Sequence, residues 1–181
     1  MAESYARLKK KIGVACVTAG PGSTNAIPGL AEAYVDSAPI IIISGQVDYK
    51  QTTHSTNSKK IRTFGTAEIN IVPIVKPITK YAEIIKNPKD ARYILEKAFF
   101  LATDGRPGPV WIDIPLDVQK FKINPKKLKS FKPKVKRINK TKNKKYIKDI
   151  INLLKRSSRP LIVAGNGIHQ SNTSNVLKKI F

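Results

Sequence analysis

Cysteine is almost absent from this sequence. One residue of this type, Cys16, occurs among 181, so no disulfide can form within the chain, and such usage is typical of a reducing compartment. Cys16 lies in the apolar run Gly-Val-Ala-Cys-Val at residues 13–17. We therefore predict that it is a small buried core residue rather than a reactive thiol.

Long apolar segments are lacking as well. The longest purely apolar run near the N-terminus, residues 38–43, is much shorter than the roughly 20 residues that a membrane-spanning helix needs. Residues 1–11 have no apolar stretch of the kind that a secretory signal contains. We expect a cytoplasmic protein without a membrane partner.

Acidic residues are few: 12 Asp and Glu stand against 34 Lys and Arg, giving a net charge of +22. Residues 120–145 carry 13 of the basic residues and no acidic one. Two interpretations are open, a solvated basic linker and a surface for an anionic partner such as nucleic acid. Because Phe121 and Phe131 are the segment's only aromatic residues, stacking surfaces for single strands are scarce there, and we favour the linker.

Two apolar runs, residues 13–17 and 40–43, show no alternation of polar and apolar residues, which predicts strands covered on both faces of a parallel sheet. Polar, Gly-containing sequences follow both runs, at residues 18–22 and 44–46. The carboxyl ends of parallel strands share one edge of the sheet. The sequence therefore predicts a ligand crevice at that edge.

Helix signals are present between and after these strands. Ser23 or Thr24 is expected to cap a helix after the first turn. Asn87 is the predicted N-cap of a helix over residues 88–103, with Pro88 at its first position. A third strand is predicted at residues 110–114, with its tryptophan in the core.

Two stretches between these elements give weaker signals. Residues 50–64 read as a long surface loop, in which His54 has no neighbouring Cys, Asp or Glu at ligand spacing and is expected to be solvated. Residues 69–78 are apolar but broken by two prolines, which predicts short helix or irregular packing.

The composition changes along the chain predict a domain boundary. We expect an α/β domain at residues 1–119, with a parallel sheet and flanking helices, and a basic linker at 120–145. Residues 146–181 read as helix, strand and Gly-rich turn, the beginning of a second, Rossmann-like α/β domain. Gly165-Asn-Gly167 is only part of a dinucleotide fingerprint and is weak evidence for a nucleotide.

Several motifs occur together in a recognisable order. Met-Ala-Glu-Ser-Tyr-Ala-Arg opens the chain, Thr-Ala-Gly-Pro-Gly-Ser-Thr-Asn follows the first strand, and further matches lie at residues 29–39, 43–47, 77–81, 105–119 and 159–168. With these motifs the sequence resembles the thiamine-diphosphate-dependent family of acetolactate synthase and its relatives. The resemblance covers most of the chain.

The resemblance implies that residues 1–119 form a pyrimidine-binding domain, which holds the aminopyrimidine ring of the cofactor across a subunit interface. It assigns cofactor contacts to Pro21 and Asn25, while Gly20 and Gly22 allow the backbone to come close. The family's activating glutamate is expected upstream of Met1, so no catalytic residue is assigned in this sequence.

The resemblance also implies an activity for the complete protein. This is decarboxylation of a 2-keto acid and transfer of the acyl unit to a second carbonyl, as a transferase or lyase that uses thiamine diphosphate and Mg²⁺. It implies a homodimer or dimer of dimers, with the metal held by a domain outside this sequence and with FAD allowed but not supported. The piece alone is expected to be inactive. A decarboxylase or lyase of the same family, a basic nucleic-acid-binding module at residues 120–145 and a non-catalytic protein of the same fold are the alternatives.

One departure from the family pattern concerns residues 65–68, Gly-Thr-Ala-Glu. Many acetolactate synthases carry Phe-Gln-Glu there, and Ala67 stands where the glutamine would fall. The resemblance therefore leaves the substrate open.

Overall fold

A computed structural model describes residues 1–56, 60–133 and 140–179. Contacts between residues divide the chain into two compact units, Met1–Pro133 and Lys134–Phe181. The first unit thus extends beyond residue 119, where the sequence placed the end of the first domain. Among the described residues, no helix has the length and apolar character needed to cross a bilayer.

The first unit is built on a parallel sheet. Its strands are β1 (Gly13–Val17), β2 (Ile40–Gln46), β3 (Tyr81–Ile84) and β4 (Val110–Pro115), in the spatial order β1-β2-β4-β3. Every neighbouring pair is parallel. The predicted α/β class, a parallel sheet with flanking helices, is confirmed.

Helices connect the strands and cover the sheet. In the first unit they are α1 (Ala2–Lys9), α2 (Pro21–Thr24), α3 (Ile27–Val35), α4 (Thr53–Thr56), α5 (Ile71–Val75), α6 (Ala91–Thr103) and α7 (Leu116–Lys120). Short 3-10 turns occur at Tyr49–Gln51, Lys76–Ile78, Pro88–Asp90 and Pro125–Lys127.

The sheet separates two apolar clusters. On one face, residues of α1, α3 and α5 pack against β2 and β4; the fully covered members include Leu30, Ala33, Val75 and Trp111. On the other face, α6 packs over the same two strands; the buried members of this cluster include Ala98 and Ala102 of α6 and Val110 and Ile112 of β4. Because β2 and β4 are covered on both sides, their apolar runs show no alternation.

The helix predicted after the first turn is divided in two. Neither Ser23 nor Thr24 caps it: both belong to α2, where the Ser23 hydroxyl donates to the Thr18 carbonyl (2.7 Å) and the Thr24 hydroxyl to that of Pro21 (3.1 Å). Pro28 explains the division, since it has no N–H to donate and its ring excludes the carbonyl four residues before it.

The predicted helix at residues 88–103 is present, with Asn87 accepting a hydrogen bond from the Lys89 N–H (3.0 Å). Its first turn, Pro88–Asp90, is a 3-10 turn that leads into α6. The predicted surface loop contains α4, and its residues 57–59 lie outside the described part of the chain. Residues 71–78 form α5 and a 3-10 turn, as short helix was predicted there.

The prediction that Cys16 is buried is wrong. Cys16 and Val14 are exposed, and they lie on the same face of β1, two residues apart. In the described chain β1 is at one end of the strand order, and α6 packs on β2, β3 and β4. The apolar run therefore indicates a strand correctly, but one face of that strand is uncovered.

The described residues of the second unit contain α8 (Lys140–Arg156), α9 (Gly167–Gln170) and α10 (Ser174–Leu177). The predicted helix is present, and its apolar side chains at Ile147, Ile150 and Leu154 are exposed. The strand predicted within 159–168 is not formed: residues 160–165 have no regular structure. A strand needs a neighbour for its backbone hydrogen bonds, and the described residues of this unit offer none.

Candidate functional site

A crevice of about 680 Å³ opens at the carboxyl end of the sheet. Its walls come from the ends of β1, β2 and β4 and from the segments that follow them, including Cys16, Thr18, Ser44, Gln46, Leu116 and Gln119. This is the edge at which the sequence predicted a ligand crevice. We call it the strand-end crevice.

A buried polar network, which we call the polar floor, lies beneath the strand-end crevice, and two of its members, Ser44 and Gln46, belong to the crevice lining. Ser44 and Asp113 lie opposite each other in the register of β2 and β4, and the Ser44 hydroxyl donates to Asp113 Oδ1 at 2.5 Å. The same hydroxyl accepts from Trp111 Nε1–H at 2.8 Å. Gln46 Nε2 donates to Asp113 Oδ2 at 3.2 Å. Each member is nearly inaccessible to solvent, so the network is held inside the fold.

Burial raises the pKa of the Asp113 carboxyl to about 6. The hydrogen bonds from Ser44 and Gln46 act in the opposite direction, and the nearby Glu68 carboxylate raises the pKa further. Burial prevails because a carboxylate loses its hydration in the interior. Asp113 itself is buried and does not belong to the lining of the crevice.

Gln46 also fixes the segment that leaves β2. Its Nε2 donates to the Ile69 carbonyl at 2.9 Å, and its Oε1 accepts from the Val47 N–H at 3.0 Å. Beside it, buried Glu68 accepts a hydrogen bond from Thr53 at 2.8 Å. One glutamine therefore joins β4, the wall of the crevice and the segment before α5.

The turn after β1 packs closely on that segment. Gly20 is buried with φ +59°, and a Cβ there would lie 2.0 Å from the Ala67 carbonyl oxygen. At Gly22 a Cβ would lie 2.5 Å from Cγ2 of Thr18. Gly20 excludes a side chain and also needs the left-handed conformation that glycine adopts without strain, whereas a Cβ at Gly22 would require the Thr18 side chain to move.

Pro21 and Asn25 are exposed, and neither lies in the wall of the strand-end crevice. The backbone N–H of Asn25 donates to the Pro21 carbonyl at 3.0 Å, within α2. Among the described residues, the Asn25 side chain makes no hydrogen bond. The structure therefore places the four predicted site residues on one turn, with Gly20 buried, Gly22 half-buried and Pro21 and Asn25 exposed.

In the part of the chain that the structure describes, no group of three His, Cys, Asp or Glu side chains is arranged to hold a metal ion. His54 is exposed, in agreement with the expectation from the sequence, and its ring makes an edge contact with the Tyr49 ring, with centroids 6.2 Å apart.

Part of the basic segment packs on α6. Glu96 accepts hydrogen bonds from the Ser130 hydroxyl and the Phe131 N–H, each at 2.7 Å. The Phe131 ring lies 5.5 Å from that of Tyr93 and 5.7 Å from that of Phe100, between centroids. Because Phe131 is engaged in this way, it is not available to stack on a nucleic-acid base. The part of the predicted linker at residues 134–139 lies outside the described residues.

The polar floor was not predicted from the sequence. One signal for it exists, since Asp113 interrupts the apolar strand Val-Trp-Ile-Asp-Ile, and a charged residue in a buried strand requires a partner. Its partners lie 67 to 69 positions away, and no local pattern connects such distant residues.

Residues 1–72 match the family described as thiamine pyrophosphate enzyme, N-terminal TPP binding domain. The chain is 41% identical over 185 residues to the acetolactate synthase large subunit of Buchnera aphidicola subsp. Schizaphis graminum, an alignment that covers 98% of this chain and 30% of that protein. It is 34% identical over 177 residues to the large subunit of Lactococcus lactis, covering 98% and 29%.

A plant protein is similar too. The chloroplastic acetolactate synthase of Arabidopsis thaliana is 36% identical over 168 residues, which cover 92% of this chain and 24% of the plant protein. The chain thus spans less than a third of the length of the curated relatives it matches. The resemblance to thiamine-diphosphate-dependent enzymes of the acetolactate synthase type is confirmed.

Proposed function

We propose that this chain supplies the pyrimidine-binding part of a thiamine-diphosphate-dependent, acetolactate synthase-like enzyme that acts on 2-keto acids. The observation that carries the proposal is the alignment with large subunits of acetolactate synthase over 98% of the chain. Since the chain spans less than a third of such proteins, the activity belongs to a longer polypeptide. The 181-residue piece alone is expected to be inactive.

The turn after β1 fits a cofactor that approaches from outside the chain. The Asn25 amide is exposed and makes no hydrogen bond among the described residues, and the Pro21 ring is exposed beside it. An amide offers both a donor and an acceptor, as an aminopyrimidine does. This arrangement supports a cofactor bound between subunits, as the resemblance implies.

In this proposal, Asn25 hydrogen-bonds the polar edge of the aminopyrimidine and Pro21 packs against its ring. Gly20 and Gly22 keep side chains out of the turn, so that it stays seated on Ala67. When bound, thiamine diphosphate supplies the nucleophilic carbon and takes up the charge left by loss of CO₂. The chain's own contribution is to orient the ring.

The remaining parts of the site are assigned to the longer protein. We propose that the activating glutamate precedes Met1, that Mg²⁺ is held by another domain and that the enzyme is a homodimer or dimer of dimers. A cytoplasmic location remains a prediction from the sequence, and FAD is allowed by the resemblance but not supported. Whether the acyl unit is transferred or released separates the carboligase from the decarboxylase alternative.

The test uses the full-length protein expressed from the complete coding sequence. With thiamine diphosphate and Mg²⁺, it should convert pyruvate to CO₂ and acetolactate, and omission of thiamine diphosphate should abolish the reaction. Acetaldehyde in place of acetolactate would identify the decarboxylase alternative. Full-length protein that neither binds thiamine diphosphate in calorimetry nor consumes 2-keto acids would contradict the proposal.

A further inference from the structure

A second cavity, of about 470 Å³, lies at the opposite end of the sheet from the strand-end crevice. Its lining includes Tyr34, Lys80, Arg106 and Gly108. Lys80 immediately precedes β3, and Gly108 lies just before β4. We call it the strand-start cavity; its size is within the range of small-molecule sites.

Two cations line this cavity, and both are positioned by neutral oxygen atoms. Lys80 Nζ donates to the Asp104 carbonyl at 2.5 Å. Arg106 Nε donates to the Ser37 hydroxyl at 2.6 Å, and its Nη2 to the Val35 carbonyl at 3.5 Å. Among the described residues, no salt bridge joins either cation to a carboxylate.

These contacts leave donors unused. An ammonium group has three N–H groups and a guanidinium has five, fixed in a plane that matches the oxygens of a phosphate or carboxylate. The contacts above use one donor of Lys80 and two of Arg106. The remaining donors are available to an anionic ligand.

The surroundings favour an anion over an empty cavity. Burial lowers the pKa of the Lys80 ammonium, and the nearby Asp104 carboxylate raises it in part. No acidic residue belongs to the cavity lining. An anion placed beside both cations would offset the hydration that Lys80 loses on burial.

Gly108 makes room for this arrangement. A Cβ at that position would lie 3.1 Å from Cδ of Lys80 and 3.3 Å from its Cγ. The stem of Lys80 therefore crosses directly over the backbone of Gly108, with its ammonium at the Asp104 carbonyl. These two contacts fix the position of the Lys80 side chain within the fold.

We propose that the strand-start cavity binds the phosphate group of a small molecule, held by Lys80 and Arg106. This site is separate from the proposed thiamine-diphosphate contacts, which lie on the turn that follows β1 at the other end of the strands. The phosphate-site proposal does not depend on the proposed enzymatic activity, so an experiment can contradict one of the two proposals and leave the other standing.

The test is a titration of the 181-residue chain with inorganic phosphate at constant ionic strength, followed by NMR of the arginine Nε–H signals. A saturable, one-to-one shift of the Arg106 signal is expected. Lys80→Met, which removes the ammonium, and Arg106→Lys, which keeps the charge but loses the planar donors, should each weaken binding at least about tenfold. Lys89→Met, an exposed lysine elsewhere, is the matched control and should bind as the parent does.

The fold of each variant is checked first through its amide spectrum. If Lys80→Met loses its native spectrum, the titrations of Arg106→Lys and of the parent still test whether phosphate binds in the strand-start cavity. A parent signal that never saturates, or an unchanged affinity in a folded variant, would overturn the proposal.

Discussion

Gly20 and Ala67 meet through their backbones, so closely that a Cβ on Gly20 would lie 2.0 Å from the Ala67 carbonyl oxygen. Both residues have positive φ, +59° and 58°. Through this contact, the turn after β1 packs against the segment that precedes α5. It also places Pro21 and Asn25, which follow Gly20, on the outer surface.

Gly20→Ala should destabilise the first unit because it adds a Cβ against backbone and forces an L-residue to positive φ. We expect a loss of about 2 kcal/mol or more in the free energy of unfolding, measured by urea denaturation. Gly29→Ala is the matched control, since no atom lies within 4 Å of its Cβ position and Gly29 is in α3. It should be neutral or stabilising by up to about 1 kcal/mol. Equal effects in the two variants would refute the close contact.

Stability should depend on the ionisation of Asp113, whose pKa is raised by burial from an ordinary value of 3.8 to about 6. The folded protein then binds this proton more tightly than the unfolded chain does. The stabilisation that comes from this tighter proton binding is fully present below about pH 4. It is lost as the pH rises through 6, and the free energy of unfolding then falls by at most about 1.4 kcal/mol per pH unit. Unfolding free energies of the parent minus those of Asp113→Asn should decrease over that interval. A difference that stays constant with pH would show that Asp113 has an ordinary pKa.

Trp111 offers an independent readout of the same group, because it is the single tryptophan of the chain. Its indole N–H donates to Ser44, and Ser44 donates to Asp113. The indole NMR signal should therefore titrate with a midpoint near pH 6, and Asp113→Asn should abolish the titration. A midpoint unaffected by that substitution would assign the titration to another group.

Glu96 should hold the basic segment against α6. Hydrogen bonds from Arg92, Ser130 and Phe131 lower the pKa of this carboxyl to about 2, so the contacts persist at neutral pH and are lost only as the pH falls towards 2. Glu96→Ala should make tryptic cleavage after Lys129 severalfold faster, because the segment is released. Glu32→Ala, an exposed carboxylate of α3, should leave the rate unchanged. Unaltered cleavage in Glu96→Ala would show that these contacts do not hold the segment.

The sequence predicted the covered strands and the helix after Asn87 because their signals are local. An unbroken apolar run marks β2, and a capping residue followed by proline marks the turn before α6. The strand Tyr81–Ile84 was missed. It is short, half-buried throughout and lies at one end of the strand order, so it shows neither an apolar run nor a clear alternation.

The position of Cys16 and the floor of the strand-end crevice depend on tertiary structure. Cys16 is exposed because α6 packs on β2, β3 and β4 and leaves that face of β1 uncovered, which the local sequence does not encode. The link between Ser44 and Asp113 arises when β2 and β4 become neighbours. Pairings of that kind follow from topology rather than from local pattern.

The proposed cofactor contact of Asn25 is tested most directly by the activation of the full-length enzyme by thiamine diphosphate. Asn25→Ala should require about tenfold more thiamine diphosphate for half-maximal 2-keto acid consumption, as expected for the loss of one buried hydrogen bond. Asn152→Ala, a matched change at an exposed position of α8, should behave as the parent does. An activation curve of Asn25→Ala that coincides with that of the parent would contradict the assignment of this turn to the cofactor.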